Sequence, residues 1–344
     1  MRIERFDPAA DAAKVQACYE MYAACHPVDE PGGPVMTAPV FAGWFSRGWD
    51  GSPREAGLAV GDDGTCVGCY LLELPDRENK HLGYLAMYVP PGQRRHGHGS
   101  ALLRYAAGRA AGHGRALLTS ETRIGSDGWA FASAAGARAE LVEVRRVLEL
   151  ADIPAARRAE LRRAAEKAAG GYSLIRWQGP TPDEYLDQVA MVLSAMADAP
   201  HSPGHEPHQN DAERVRSGES RDREQGIRRY SVAARCDRTG ELAGMTQLGV
   251  ESASPQWGYQ FFTAVARAHR GHRLGLWVKV DMLDMLADAE PDMRRIHTGN
   301  ADLNAHMIAI NTELGFRVLH EWQTWHLDVP AETSADSRPS PPRN

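Results

Sequence analysis

Apolar and polar positions along the chain switch between a helical and a strand period, and the same succession of switches runs twice. Residues 1–6 read as a strand, and 11–25 as a helix with Ala12, Val15, Cys18 and Met21 or Tyr22 on one face. Pro27 to Pro34 breaks the pattern, and a short helix over about 38–48 then gathers Phe41, Trp44 and Phe45. Three strand patterns follow, 56–60, 66–74 and 82–89, divided by Gly61-Asp62-Asp63-Gly64 and by residues 76–80. A helix over 101–111, a buried strand over 116–120, a short helix over 128–135 and closing strands from Gly136 to Leu150 complete the first pass.

The stretch 154–169 is rich in Ala, Arg and Glu and is ended by Gly170-Gly171, which predicts a helix whose charged, solvated face joins two domains. The second pass opens with a strand over 172–177 and a helix over 181–199, capped by Thr181 with Pro182 in its first turn. A loop over 200–210 and a highly charged helix over 211–225 come next. Strands over 228–234, 241–250 and 257–265, a helix over 276–287, a strand over 296–299, a helix over 304–314 and closing strands over 316–327 finish it. The expected organisation is a first domain over 1–150, a helical linker over 151–171, a second domain over 172–329 and a disordered tail over 330–344, where Pro, Ser and charge dominate without period.

At the same point of each pass a basic, glycine-containing turn leads from strand to helix. The first is Gln93-Arg94-Arg95-His96-Gly97-His98-Gly99-Ser100, and the second is His269-Arg270-Gly271-His272-Arg273-Leu274-Gly275. Aligning Arg94 with Arg270, 176 residues on, also places Val89 on Val265 and Gly99 on Gly275, so the chain reads as two copies of one unit. Such a turn aims backbone N–H groups at the positive end of a helix, a cradle for phosphate oxygens. Gly97 and Gly99 suit it by permitting positive φ and close approach of an anion, and the arginines add charge.

Arg-x-x-Gly-x-Gly over Arg94 to Gly99, after a strand and before a helix, resembles the acetyl-coenzyme A signature of the GNAT acetyltransferase superfamily. The second copy resembles it with Arg273 where the first glycine is expected, so that Arg273 must either take an ordinary backbone conformation or turn its guanidinium towards phosphate. Asn300 to Met307, Asn311 and Leu314-Gly315-Phe316 look like the next strand and helix of the same fold. The resemblance covers nearly the whole chain. It implies an α/β (α+β) fold of two GNAT domains in tandem, each a mixed, mostly antiparallel sheet flanked by helices.

The resemblance also implies a chemistry: an N-acetyltransferase moving an acetyl group from acetyl-coenzyme A, a substrate, to a primary amine of a small metabolite by direct attack in a ternary complex. A protein amino group as acceptor, or binding of acetyl-coenzyme A without turnover, are the alternatives. The strand before each cradle would present amides to the donor at Val89 in the first copy and at Val265 and Arg267 in the second. Pro91, in the first, has no N–H to offer. The family's thiolate-protonating tyrosine is matched by Phe131 or Ala132 in the first copy and by Asn311 in the second, none of which transfers a proton. Phe131 and Pro91 in the first copy, against the polar positions kept around Asn304 and Met307 in the second, assign chemistry to the second domain and donor binding alone to the first. Glu251, Tyr259 and His306 are the candidate bases. Asn304 matches an asparagine that contacts the cofactor in relatives, with Met307 beside it.

Composition bounds these readings. A formal charge of −6 argues against nucleic acid as partner, and no apolar run approaches the roughly 20 residues of a membrane span. Five cysteines without a framework pattern, at 18, 25, 66, 69 and 236, fit reduced thiols, and Cys66 and Cys69 sit three apart in a strand, facing opposite sides. His201, His205 and His208 have ligand-like spacing but read as part of a loop, and no metal is expected. Residues 201–210 are candidates for contact with the acceptor. A cytoplasmic monomer or homodimer is the expectation.

Overall fold

The computed structural model describes residues 1–48, 51–198, 200 and 202–329. The expected tail over 330–344 and His201 lie outside the described residues. The first half runs β1 (Arg2–Phe6), α1 (Ala12–Asp29), α2 (Ala38–Arg47), β2 (Arg54–Val60), β3 (Cys66–Glu73), β4 (Leu82–Tyr88), α3 (His98–Gly112), β5 (Leu117–Arg123), α4 (Asp127–Ala134) and β6 (Arg138–Glu149). After α5 (Ala155–Ala168) the order recurs. It reads β7 (Tyr172–Gln178), α6 (Leu186–Ser194), α7 (Ala212–Glu224), β8 (Ile227–Cys236), β9 (Leu242–Glu251), β10 (Trp257–Val265), α8 (Leu274–Ala289), β11 (Arg295–Ala301), α9 (Ala305–Leu314) and β12 (Arg317–Asp328).

Local chemistry explains most boundaries. Asp11 caps α1 by accepting from the Lys14 N–H at 3.1 Å, and Asp211 caps α7 by accepting from the Arg214 N–H at 2.7 Å. The central strands β2, β3 and β9 carry helices on both faces and are buried at almost every residue, which is why they read as continuous apolar runs. Two expectations need correction. The helix expected over 181–199 forms only between Leu186 and Ser194, with a 3₁₀ turn on each side. Thr181 is not its cap, because the Thr181 N–H is drawn instead to Glu219 of α7 at 2.7 Å. The linker helix α5 is not merely a solvated face: it buries Leu161 and Ala165 in the core beneath α8, while Arg158 and Arg162 bond Asp284.

The largest departure from the reading of two separate sheets lies at the centre. All strands join one 12-stranded sheet in the order β1-β2-β3-β4-β5-β12-β6-β11-β10-β9-β8-β7. The closing strands are exchanged: β6 of the first half lies antiparallel to β11, and β12 of the second lies antiparallel to β5. They meet each other along the seam, where Val144 pairs with Glu321. The cores record the exchange. Leu148 of β6, with 0% exposure, packs in the cluster of α5, α8 and α9, whereas Leu327 and Val329 pack with Leu102, Ala106 and Leu118 of the first half.

Each half also grips the other away from the seam. The turn after β3 bonds the second half, with Glu78 accepting from the Gln209 N–H at 2.7 Å and from Arg214 at 2.9 Å, and Asn79 bonding Glu206. In reverse, Glu251 at the end of β9 accepts from the Thr37 N–H before α2 at 3.1 Å. A protease site inserted at the exposed Gly170-Gly171 pair should therefore yield two fragments that stay together in native gel filtration. Separation of the fragments without denaturant would contradict the exchange.

Candidate functional site

The site is set by where paired strands part. In parallel pairing, β10 meets β11 only from Trp257 to Tyr259, and β4 meets β5 only from Leu82 to Tyr84. Past those residues each pair diverges. In the second half a bulge between Gln260 and Phe262 accompanies the divergence and re-aims the strand. The unpaired edge of β10 thus faces a cleft with main-chain groups to offer.

At the end of each splayed strand stands a cradle of the same backbone. A 3₁₀ turn leads to Arg94 at φ −74 in one loop and to Arg270 at φ −71 in the other. Two left-handed positions follow in each, Arg95 (φ 67) and Gly97 (φ 83) in the first, Gly271 (φ 90) and Arg273 (φ 54) in the second. Glycine fills one of the two in each copy, and a different one. Arg273 thus takes neither of the expected alternatives: its backbone is left-handed, at a cost of about 1–2 kcal/mol, and its guanidinium bonds Glu313 of α9.

His98, Gly99 and Ser100 lie in the first turn of α3, and Leu274 and Gly275 in that of α8, so the later glycines do not make the turn. They admit a neighbouring helix: a Cβ on Gly99 would lie 3.4 Å from the Phe131 ring, and one on Gly275 would lie 3.1 Å from Ile310. Both arginines that open the cradles brace the splayed strand, Arg94 Nε donating to the Val89 carbonyl at 3.0 Å and Arg270 Nε to the Val265 carbonyl at 3.2 Å. Arg94 is further held by Asp29 at 2.7 Å and Asp127 at 2.9 Å. His96 stacks on His98, and His272 packs on Tyr172. Arg267 stands in the 3₁₀ turn before its cradle.

In the second half these parts enclose a cleft of ≈ 560 Å³ between β10, β11, the cradle and α9. Of the residues expected to hold a donor, Val265, Arg270, Gly271, Gly275, Asn304 and Met307 line it, together with His306. Asn304 is also the cap of α9, accepting from the Met307 N–H at 3.2 Å. His306 stands with Arg270 and Glu313 at the cradle end. The structure does not bring Glu251 or Tyr259 to the cleft. Glu251 is bound to the first half, and Tyr259 faces His297 beneath the sheet seam, where burial and the Glu251 carboxylate push its phenol well above the ordinary range. Asn311 is buried beneath the cleft wall, bonded to Lys279 at 2.7 Å and to Asn300 at 2.7 Å.

Lys279, Thr298 and Asn300 belong to the cleft and were missed. The signal for Lys279 is a cation in the apolar helical run Leu276 to Val280, a position that packing would otherwise give to an aliphatic residue. A second cavity of ≈ 670 Å³ adjoins the cleft through Met196, Phe261, Gly299, Asn300 and Asn304. Its walls include Glu143 and Asp222. Burial raises the Asp222 carboxyl above its ordinary range although Arg229 bonds it. His205 and His208 border this cavity and also a third, of ≈ 630 Å³, beside Tyr84 and Glu121 of the first half. Among the described residues no cluster of His, Cys, Asp and Glu is arranged to hold a metal ion, and no helix is long and apolar enough to cross a membrane.

Residues 15–127 match the family model described as the Acetyltransferase (GNAT) family. No curated protein sequence matches the chain. Among solved structures, a tandem GNAT protein from the clavulanic acid biosynthesis pathway, in a form without AcCoA, is 27% identical with a TM-score of 0.79, over 96% of this chain and 99% of that one. A GCN5-related N-acetyltransferase from Sphaerobacter thermophilus shares the fold at 18% identity and a TM-score of 0.65, over 95% of this chain and 96% of its own. A putative acetyltransferase from Pyrococcus horikoshii does so at 13% identity and a TM-score of 0.52, over 96% and 90%.

Two substitutions test the cleft. Arg270→Glu should weaken acetyl-coenzyme A binding by about 10-fold or more in calorimetry, because a charge-assisted contact worth about 1.5–3 kcal/mol is replaced by repulsion. Asn304→Ala should lower both turnover and stability, the latter by about 1 kcal/mol for the lost cap. Asn304→Ser should restore the stability and not the turnover. Recovery of both by serine would reduce Asn304 to a helix cap.

Proposed function

We propose that the chain, similar to the GNAT acetyltransferase family over residues 15–127 and to a tandem GNAT protein over 96% of its length, is a tandem acyltransferase drawing on an acyl-coenzyme A, and that its second half acetylates a primary amine of a small metabolite. The donor is acetyl-coenzyme A, and the amine attacks it directly in a ternary complex. Residues 172–329 carry the reaction, residues 1–150 bind coenzyme A without chemistry of their own, and residues 151–171 join them.

The observation that carries this reading is the meeting of the donor cleft and the adjoining cavity at Phe261, Asn300 and Asn304, at the opposite end of the cleft from the cradle. A pyrophosphate on the Arg270 to Gly275 cradle sends the pantetheine along the splayed edge of β10 and delivers the thioester to that junction. Backbone N–H groups of β10 polarise the acetyl carbonyl. The amine nitrogen attacks from the second cavity, and placement alone supplies several kcal/mol of the acceleration. Glu143 and Asp222 offer that cavity hydrogen-bond acceptors for an amine, beside Arg214, Arg221 and Arg229. The loop over 202–210, anchored on Glu78 and Asn79, covers it from above. That cover favours a small molecule over a protein surface.

In the first half Phe131 lies on Gly99 with no hydroxyl to offer, and Pro91 stands in the turn before the cradle without an N–H. Hence the division of labour between the halves. A primary-amine metabolite library incubated with the full chain and acetyl-coenzyme A should show products heavier by one acetyl group in mass spectrometry. Acetylation of peptide amino groups alone would overturn the acceptor class. Gly97→Val, which strains a left-handed position, should weaken donor binding at one of two sites and largely spare turnover. Loss of nearly all turnover in the folded variant would move the chemistry to the first half.

A further inference from the structure

Beneath the donor cleft lies a polar chain in an otherwise apolar core. Lys279, on α8, is 3% exposed, and Asn311, on α9, is 0% exposed. Lys279 Nζ donates to Asn311 Oδ1 at 2.7 Å, and Asn311 Nδ2 donates to Asn300 Oδ1 at 2.7 Å. Asn300, on β11, lines both the donor cleft and the acceptor cavity. The chain therefore begins on a buried cation and ends at the place where the two substrates meet. Asn311 is also the residue that matches the family's tyrosine.

We propose that Lys279 and Asn311 are positioning residues that fix the amide of Asn300, so that Asn300 presents an N–H to the negative charge of the acyl transfer. This rests on the assignment of the reaction to the second half. The reason is directional. An ammonium has donors only, so Asn311 must turn its oxygen to Lys279. Its NH₂ then faces Asn300, which must answer with its own oxygen. The NH₂ of Asn300 is left for the cleft. Without the ammonium, either amide could reverse and offer a carbonyl oxygen to an incoming negative charge.

The reaction balances without a proton from this chain. The amine lone pair forms the C–N bond while the carbonyl π pair moves to oxygen. The carbonyl reforms as the C–S bond breaks and sulfur departs with that pair. The product nitrogen loses its proton to water, and the thiolate is protonated from water. Asn300 donates a hydrogen bond to the charge on oxygen or sulfur throughout, which places a preorganised dipole where charge develops.

The orientation depends on the charge of Lys279, which burial pushes down to about 7. Among the described residues no carboxylate pairs with it: on its own helix Asp281 is held by Arg176 and Arg162 and Asp284 by Arg158, and on α9 Glu313 bonds Arg273. His306 of α9 and Arg270 of the cradle stand on the same cleft wall, and the Phe316 ring lies 4.9 Å from Nζ. A folded-state value below the unfolded one means that the unfolded chain binds more protons between about 7 and 10.5, so stability rises with pH across that window. The enforced orientation is complete below it and relaxes as pH rises through about 7.

The experiment follows thiol release from saturating acetyl-coenzyme A with hydroxylamine as nucleophile, which needs no fitted acceptor pocket and is uncharged through the neutral range. The full chain should show kcat falling on the alkaline side with a midpoint near 7. Lys279→Met should lower kcat on the order of 10–100-fold and abolish the limb. Lys279→Arg should shift the limb out of range and recover part of kcat, while His306→Gln keeps the limb. Asn300→Ala should lower kcat by a similar factor, and it leaves Lys279 and the core intact should the lysine variants fail to fold. Acetyl-coenzyme A affinity by calorimetry should change little in all the Lys279 and Asn300 variants. Wild-type kcat and an unchanged limb in Lys279→Met, or in its absence wild-type kcat in Asn300→Ala, would overturn the proposal. No thiol release by the unmodified chain would instead overturn the assignment of transfer chemistry on which it rests.

Discussion

The antiparallel pairing of β6 with β12 is the constraint on which the rest of the molecule depends. Because each closing strand lies in the other half's part of the sheet, neither half completes its own sheet, and burial of Leu148 in one core is coupled to burial of Leu327 and Val329 in the other. Arg145 of β6 reinforces the seam. It bonds Glu30 beyond α1 at 3.2 Å, Glu143 at 3.3 Å and Glu121 of β5 at 3.4 Å, and lies 3.6 Å over the Trp322 ring of β12. A cation shared among several carboxylates in a partly buried place is costly to remove, since the carboxylates would then face one another uncompensated.

From that seam follows the arrangement of the site. Exchange brings β6 against β11, and its residues Leu141 and Glu143 become a wall of the ≈ 670 Å³ cavity next to β11. The grip of Glu78 and Asn79 on residues 206–214 covers the same cavity. The first half thereby helps to build the cavity of the second. It supplies a wall and an anchored cover.

What could be read in the sequence divides along the same line. The two cradles were legible because their backbone is set locally: Arg94 and Arg270 sit at nearly identical angles, and the left-handed positions that follow are marked by glycine once in each copy. Strand and helix periods gave the order of elements for the same reason. The exchange was hidden, since the alternation in β6 and β12 states which side faces a core and not which half owns that core. Thr181 misled because its N–H is claimed by Glu219, from a helix 38 residues on. Glu251 and Tyr259 had the right chemistry for a base, but Glu251 is claimed by the Thr37 N–H of the first half and Tyr259 is buried against His297 of β11. Lys279 carried a signal, a lone cation in an apolar face, whose meaning depends on Asn311 and Asn300 from other elements.

Hydrogen–deuterium exchange of the full chain, with and without acetyl-coenzyme A, bears most directly on where the donor reacts. Added protection of amides along the splayed end of β10 and the following cradle, residues 260–275, and at the start of α9, residues 304–307, is expected. Protection confined to residues 84–100 and 126–131, with the second half unchanged, would place the only donor site in the first half and contradict the assignment.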